Sequence, residues 1–150
     1  MEHLPLDYQQ QTTINLSRLD LTELPDFFFF SWQVEKLDLS FNQLTTLPNS
    51  ICRLPRLQEL WLNNNNLFSL PSQLGTLTSL RRIELNHNNL VELVEFSPNN
   101  NLLILNVSDN KLTSLPPSIE NLYSLSILNL KSNQLTDLPS TLANVKSLQV

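Results

Sequence analysis

The sequence predicts an α/β solenoid: a right-handed superhelix with a curved parallel β-sheet on its concave face and short helical, 3₁₀ or extended turns on its convex face. Three observations predict it. An eleven-residue phrase, apolar at its first, fourth, sixth and eleventh places and Asn at its ninth, recurs along the 150 residues. The recurrence is nearly periodic: units start at Gln11, Val34, Leu57, Leu80, Leu102, Leu125 and Leu148, with steps of 23, 23, 23, 22, 23 and 23 residues. A Leu-Pro pair then opens the second half of most units. A period in the twenties belongs to units that cannot bury their apolar faces alone and must stack.

The strand comes first in each unit. Around Leu37-Asp38-Leu39 the chain alternates apolar and polar residues, which predicts a short strand buried on one face. Neighbouring units pair these strands in parallel, roughly 4.8 Å apart, and the residues between the leucines face an open concave surface. Asn42, Asn65, Asn88, Asn110 and Asn133 fall where the chain leaves the strand. An amide both donates and accepts, so this column can satisfy turn backbone groups of adjacent units that burial would leave unpaired.

The return half follows. Leu24-Pro25, Leu47-Pro48, Leu70-Pro71, Leu115-Pro116 and Leu138-Pro139 hold equivalent places. Proline sets φ and needs no N–H partner. The pairs Ile51/Leu54, Leu74/Leu77, Ile119/Leu122 and Leu142/Val145 then have the i, i+3 spacing of one helical or 3₁₀ turn packed on the strand layer.

Departures are localised. The domain is expected over 11–150, preceded by a polar lead-in over 1–10. The first unit carries Leu19 where Asn is due. Phe27-Phe28-Phe29-Phe30 with Trp32 is expected to seal that end, Phe28 entering the core. The fourth unit is one residue short: Val94 replaces proline, Phe96 is expected to fill the core alone, and the polar stretch to Asn101 to bulge as a loop. The chain stops inside a seventh unit at Val150. The expectation is that the chain continues there, or that a partner or second copy covers an association-prone strand edge.

Composition bounds the chemistry. A net charge of −5 and pI near 4.9 exclude nucleic acid as the main partner. With one glycine in the chain, Asn and Pro are expected to do the turn work, since Asn tolerates left-handed backbone. The one cysteine, Cys52, cannot form an internal disulfide, so a reducing, cytoplasmic compartment is expected. The N-terminus lacks the basic start and apolar run of a signal peptide, and no apolar stretch is long enough for a membrane span. No Gly-rich phosphate loop, metal-ligand spacing or nucleophile constellation is present, so no catalytic residue, metal or cofactor is expected.

Function is expected at the positions that the repeat leaves variable. The middle strand position holds Asn15, Asp38, Trp61, Glu84, Asn106 and Asn129. Two residues earlier lie Thr13, Lys36, Glu59, Arg82, Ile104 and Ile127. Just before the asparagine column lie Arg18, Phe41, Asn64, His87, Asp109 and Ser132. Phe41, Trp61, Glu59, Arg82, Glu84, His87, Ile104 and Asp109 form the candidate protein-binding set, with Leu103 and Ile127 extending the apolar part. Central aromatics and Arg with polar surroundings are the composition of a binding hot spot. The alternative is that Phe41 and Trp61 merely cover the leucine layer.

The full phrase L-x-x-L-x-L-x-x-N-x-L-x-x-L-P-x-x-I/L-x-x-L resembles the intracellular, 23-residue class of leucine-rich-repeat proteins over residues 11–150. The resemblance implies recognition of another protein by the concave face, as regulator, inhibitor or scaffold. Members of that class regulate phosphatases, scaffold small-GTPase signalling or act as bacterial effectors in a host cytosol. The asparagine-rich, glycine-poor composition is similar to that of effectors. The other implied reading is the substrate-recognition region of a larger enzyme whose catalytic domain lies beyond residue 150. The family's bacterial ubiquitin ligases carry a separate catalytic domain with an essential cysteine. Nothing here matches it, and Cys52 lies within a repeat.

Overall fold

A computed structural model describes residues 11–24, 33–98 and 100–148. The expectations for the lead-in, the aromatic run at 27–32 and the terminal Val150 lie outside the described residues. Six three-residue strands form one parallel sheet in chain order: β1 Thr13–Asn15, β2 Lys36–Asp38, β3 Glu59–Trp61, β4 Arg82–Glu84, β5 Ile104–Asn106 and β6 Ile127–Asn129. The register repeats without slippage. Ile14, Leu37, Leu60, Ile83, Leu105 and Leu128 stand side by side, each the middle residue of its strand. One inward residue per strand, buried in the first five and half-buried as Leu128 in the sixth, suffices to specify this register, because a one-residue slip would turn it to solvent.

The sheet's buried face meets the leucines of the loops. Leu39, Leu44, Leu57, Leu62 and Leu67 are fully buried, as are their equivalents in the next two units. On the convex side, four of the return halves form 3₁₀ segments: Asn49–Arg53, Ser72–Thr76, Pro117–Asn121 and Ser140–Asn144. Each starts after the proline or its equivalent, and each of Ile51, Leu74 and Ile119 is buried beneath its own segment.

The asparagine column does what its spacing predicts. Asn65 Nδ2 donates to the Leu62 carbonyl in its own unit (3.1 Å) and to the Leu39 carbonyl in the unit before (3.0 Å). Its Oδ1 accepts from the Leu44 amide at 3.0 Å. Asn88 repeats the pattern with Leu85, Leu62 and Leu67. Asn110 repeats it with Val107, Leu85 and Leu90. Each side chain thus satisfies three backbone groups that would otherwise be buried and unpaired.

The left-handed positions sharpen the reading of Asn as a turn residue, which Asn64 bears out. Asn in the column is not the residue that adopts positive φ. The residue before it does: Arg18, Phe41, Asn64, His87, Asp109 and Ser132 all have φ between 54° and 60°. The column residue keeps its side chain on the backbone bonds, and the chain reverses one position earlier.

The fourth unit corrects an expectation. Phe96 is buried, as predicted, but Asn100 does not bulge. It is 4% exposed, donates to the Gly75 carbonyl (3.1 Å) and accepts from the Leu102 amide (3.0 Å). Among its described residues the shortened return has no 3₁₀ segment, and it lies close on the third unit. A Cβ on Gly75 would stand 2.0 Å from the Glu95 carbonyl oxygen. The chain's one glycine is therefore required by close backbone approach, not by a turn. On the other side, Ser118 Oγ and Asn121 Nδ2 bond the Phe96 amide and carbonyl at 2.9 and 2.7 Å, holding the irregular segment between regular neighbours.

Candidate functional site

The strands place the candidate residues in two rows across the concave face. In the first row Lys36, Glu59, Arg82 and Ile104 are neighbours in register, followed by Ile127. In the second row Asp38, Trp61, Glu84 and Asn106 are neighbours. Phe41, His87 and Asp109 lie in the third row, at the left-handed turn that ends each strand.

Three of these side chains are committed to one another. Arg82 grips Glu84 through Nε and Nη2 at 2.9 and 2.7 Å, and Asn106 donates to the other carboxylate oxygen at 2.8 Å. Glu84 is 8% exposed as a result. A buried carboxylate held on both oxygens is a fixed part of the surface. Lys36 and Glu59 form a more open pair at 2.8 Å. His87 Nε2 stands 3.9 Å from Asp109 Oδ2, with both side chains well exposed.

The middle row hides a structural role that sequence reasoning missed. Asn15, Asp38, Asn106 and Asn129 each accept a bond from the backbone amide two residues on, at 2.9, 2.9, 3.2 and 3.2 Å. These side chains close the end of their strands, as Asx residues do in turns. The signal was present in the sequence as a short polar residue repeated at one place. Trp61 has no oxygen to offer, and Glu84 turns instead to Arg82 and Asn106. The fold therefore leaves these two neighbouring positions for other uses.

Phe41 departs in the same way. Its equivalents in other units are Arg, Asn, His, Asp and Ser. It is 42% exposed, and the Arg18 guanidinium stacks on its ring 4.0 Å from the centroid. Its contribution to the leucine core is correspondingly small. At the other end of the sheet, Leu103 and Ile127 are exposed and Ile104 is half-buried, forming an apolar patch next to the charged rows.

No group of three or more potential metal ligands occurs among the described residues. Every buried side-chain nitrogen and oxygen among them has a partner, so no orphaned polar atom marks a cofactor site. Burial pushes the half-buried Cys52 thiol up to about 11, which keeps it protonated and a poor nucleophile at neutral pH. No described helix is long and apolar enough to cross a membrane.

Comparison with known proteins fits this geometry. Models of the leucine rich repeat match residues 12–67, 101–122 and 124–145, together more than half of the chain. A Shigella effector leucine-rich-repeat domain is 32% identical over 86% of this chain and 53% of its own, with a TM-score of 0.69. The PEPR1–AtPEP1 structure is 28% identical over 93% of this chain and 21% of its own, with a TM-score of 0.79. The Drosophila Toll–Spatzle complex is 29% identical over 85% of this chain and 17% of its own, with a TM-score of 0.71. The chain thus spans about half or less of the solved chains it matches. No curated protein sequence matches it. Repeat phrase, parallel sheet, asparagine ladder and family models agree, and the chain belongs to the leucine-rich-repeat family.

Proposed function

We propose that this chain is a non-catalytic binding module that holds a protein partner on its concave face, with Phe41 and Trp61 as anchors. Domains of this family are in general protein-interaction modules. The similar Toll and PEPR1 chains are in complex with Spatzle and AtPEP1. Glu59, Arg82, Glu84, His87, Ile104 and Asp109 supply the surround, and the Arg82–Glu84–Asn106 cluster holds a rigid polar edge beside Trp61.

The single observation that carries the reading is the backbone of Phe41. A left-handed conformation costs an L-residue about 1–2 kcal/mol. Phe41 adopts it at φ 55° while staying 42% exposed beneath the Arg18 guanidinium, outside the buried core, where Asn or Gly would be at ease. Strain kept without a gain in core packing points to use of the side chain. The likeness to the Shigella effector domain supports a role as a bacterial effector that regulates, inhibits or scaffolds a protein in the reducing cytosol of a host cell.

The test is affinity for a protein captured from cytosol by the wild-type chain. Trp61→Ala and Phe41→Ala should each weaken binding by more than about 1 kcal/mol. Unchanged affinity in both variants sinks the assignment.

A further inference from the structure

The two flanks of the solenoid carry opposite charge, and the stacking of leucines requires neither. On the ascending flank each unit climbs from its convex turn to the next strand. Of the described residues there, over 33–35, 53–58, 76–81, 100–103, 121–126 and 144–148, Arg53, Arg56, Arg81 and Lys146 are the bases and Glu35 is the one acid. The descending flank carries exposed Asp20, Glu23, Glu92 and Asp137 against Lys111. The three arginines fall in two neighbouring units. Later units hold Thr76, Pro98, Asn121 and Asn144 at the place of Arg53, and Ser79, Asn101, Ser124 and Ser147 at that of Arg56. Neutral residues therefore serve the fold at both places.

Two of the guanidinium groups are anchored yet only partly used. Arg56 Nη1 donates to Gln33 Oε1 at 2.7 Å. Arg81 Nη1 donates to the carbonyls of Thr78, Ser79 and Leu80 at 2.9, 3.1 and 3.1 Å. Both are held through Nη1, which leaves the Nε–Nη2 edge, a fork that matches the two oxygens of a carboxylate. Arg81 curls back to the level of Ser79, which follows Arg56 by one repeat. Arg53, Arg56 and Arg81 form no ion pair among the described residues. Gln58 stands between Glu35 and Arg81, its amide on the Glu35 carbonyl (2.7 Å) and its carbonyl on the Arg81 amide (2.8 Å). Separate forks on two units suit two carboxylates of one extended segment. A nucleic acid or an anionic bilayer spreads its charge over a long front and meets the repulsion of the chain's net −5. A short acidic segment meets the arginines alone, because salt screens the more distant acids.

We infer that Arg53, Arg56 and Arg81 form a docking ridge on the ascending flank for an acidic segment of a protein, two of whose Asp or Glu carboxylates take the Arg56 and Arg81 forks. The ridge lies outside the concave face and stands or falls apart from it. Three fluorescent probes test it on the full chain by anisotropy at low and physiological salt. They are a short peptide alternating Glu and Ser, its Gln–Ser counterpart, and a single-stranded oligonucleotide of the same charge as the first. The expected result is binding of the Glu peptide alone, weakened by salt and falling about fivefold or more in Arg56→Gln/Arg81→Gln. The variant Lys111→Gln/Lys131→Gln removes the same charge elsewhere and should leave that affinity unchanged. Where Arg56→Gln/Arg81→Gln lowers the thermal melt, Arg53→Gln/Arg56→Gln takes its place with the same expectation, since both side chains are exposed. Equal losses in the charge-matched variants, oligonucleotide binding as tight as that of the Glu peptide, or no binding of the Glu peptide overturn the ridge.

Discussion

The third and fourth units begin alike and end differently. Over 57–67 and 80–90 both carry the full phrase, the same strand register and the same three asparagine bonds. Beyond that point the third unit turns through a proline and a 3₁₀ segment, whereas the fourth loses a residue, the proline and the helical turn. The sheet does not register the loss, because strand pairing and the asparagine ladder are complete before the chain reaches the convex side. The whole adjustment falls on the return, where the fourth unit's backbone is drawn against Gly75 and Asn100 takes an interior place. A solenoid of this type tolerates length change only where repeats meet through side chains and loop backbone, and there it demands compensating residues in the neighbour.

The sharpest way to break this arrangement is Gly75→Ala. The added methyl meets a backbone oxygen that cannot rotate away, so the loss should be about 3 kcal/mol or more, seen as a lower midpoint in urea. Thr76→Ala, one residue along and exposed, is the control and should cost little. Next, Asn65→Ala and Asn88→Ala should each cost about 2 kcal/mol by leaving buried backbone groups unpaired. The two costs should be equal within error. A clearly smaller cost at Asn88 would show that the fourth unit's irregular return loosens its strand half after all.

Smaller effects separate the strand-end turn from the convex return. The third and fourth units place Asn64 and His87 at the left-handed position, residues that accept it readily, while the second unit places Phe41 there. Phe41→Asn should therefore raise stability by about 1 kcal/mol while binding falls. A loss of stability on that change would remove the strain argument. The smallest effect concerns Cys52 on the regular convex turn of the second unit. With its thiol raised from 9.0 to about 11, reaction with a disulfide reagent at pH 8 should be slower in the folded chain than in urea. The sign for stability follows from the direction of the shift. The folded state resists deprotonation, so this contribution is intact below pH 9 and is lost as pH rises toward 11. Equal labelling rates folded and unfolded would show the turn to be open.

Much of the architecture is legible in residues. Leu37 and its equivalents set the strand, the 23-residue step sets the register, and Asn65 and its equivalents announce unpaired backbone in need of an amide. The candidate site was legible only by subtraction, as whatever the phrase does not use. That subtraction is incomplete: Asp38 and Asn106 sit among the variable positions yet close their own strands. Which turn residue bears positive φ could not be read from Asn-richness, since both the column residue and its predecessor are polar in most units.

Taken alone, the sequence determined the solenoid, its period, its parallel order and the face that carries variation. These follow from local chemistry repeated at a constant step, so each unit states the rule for the next. Only the tertiary structure decided why Gly75 is glycine, where Asn100 goes, that Glu84 is held by Arg82 and Asn106, and that Phe41 pays a backbone cost. Those facts depend on distances between residues about one repeat apart or on the conformation of a single turn, and a periodic pattern carries no information about either.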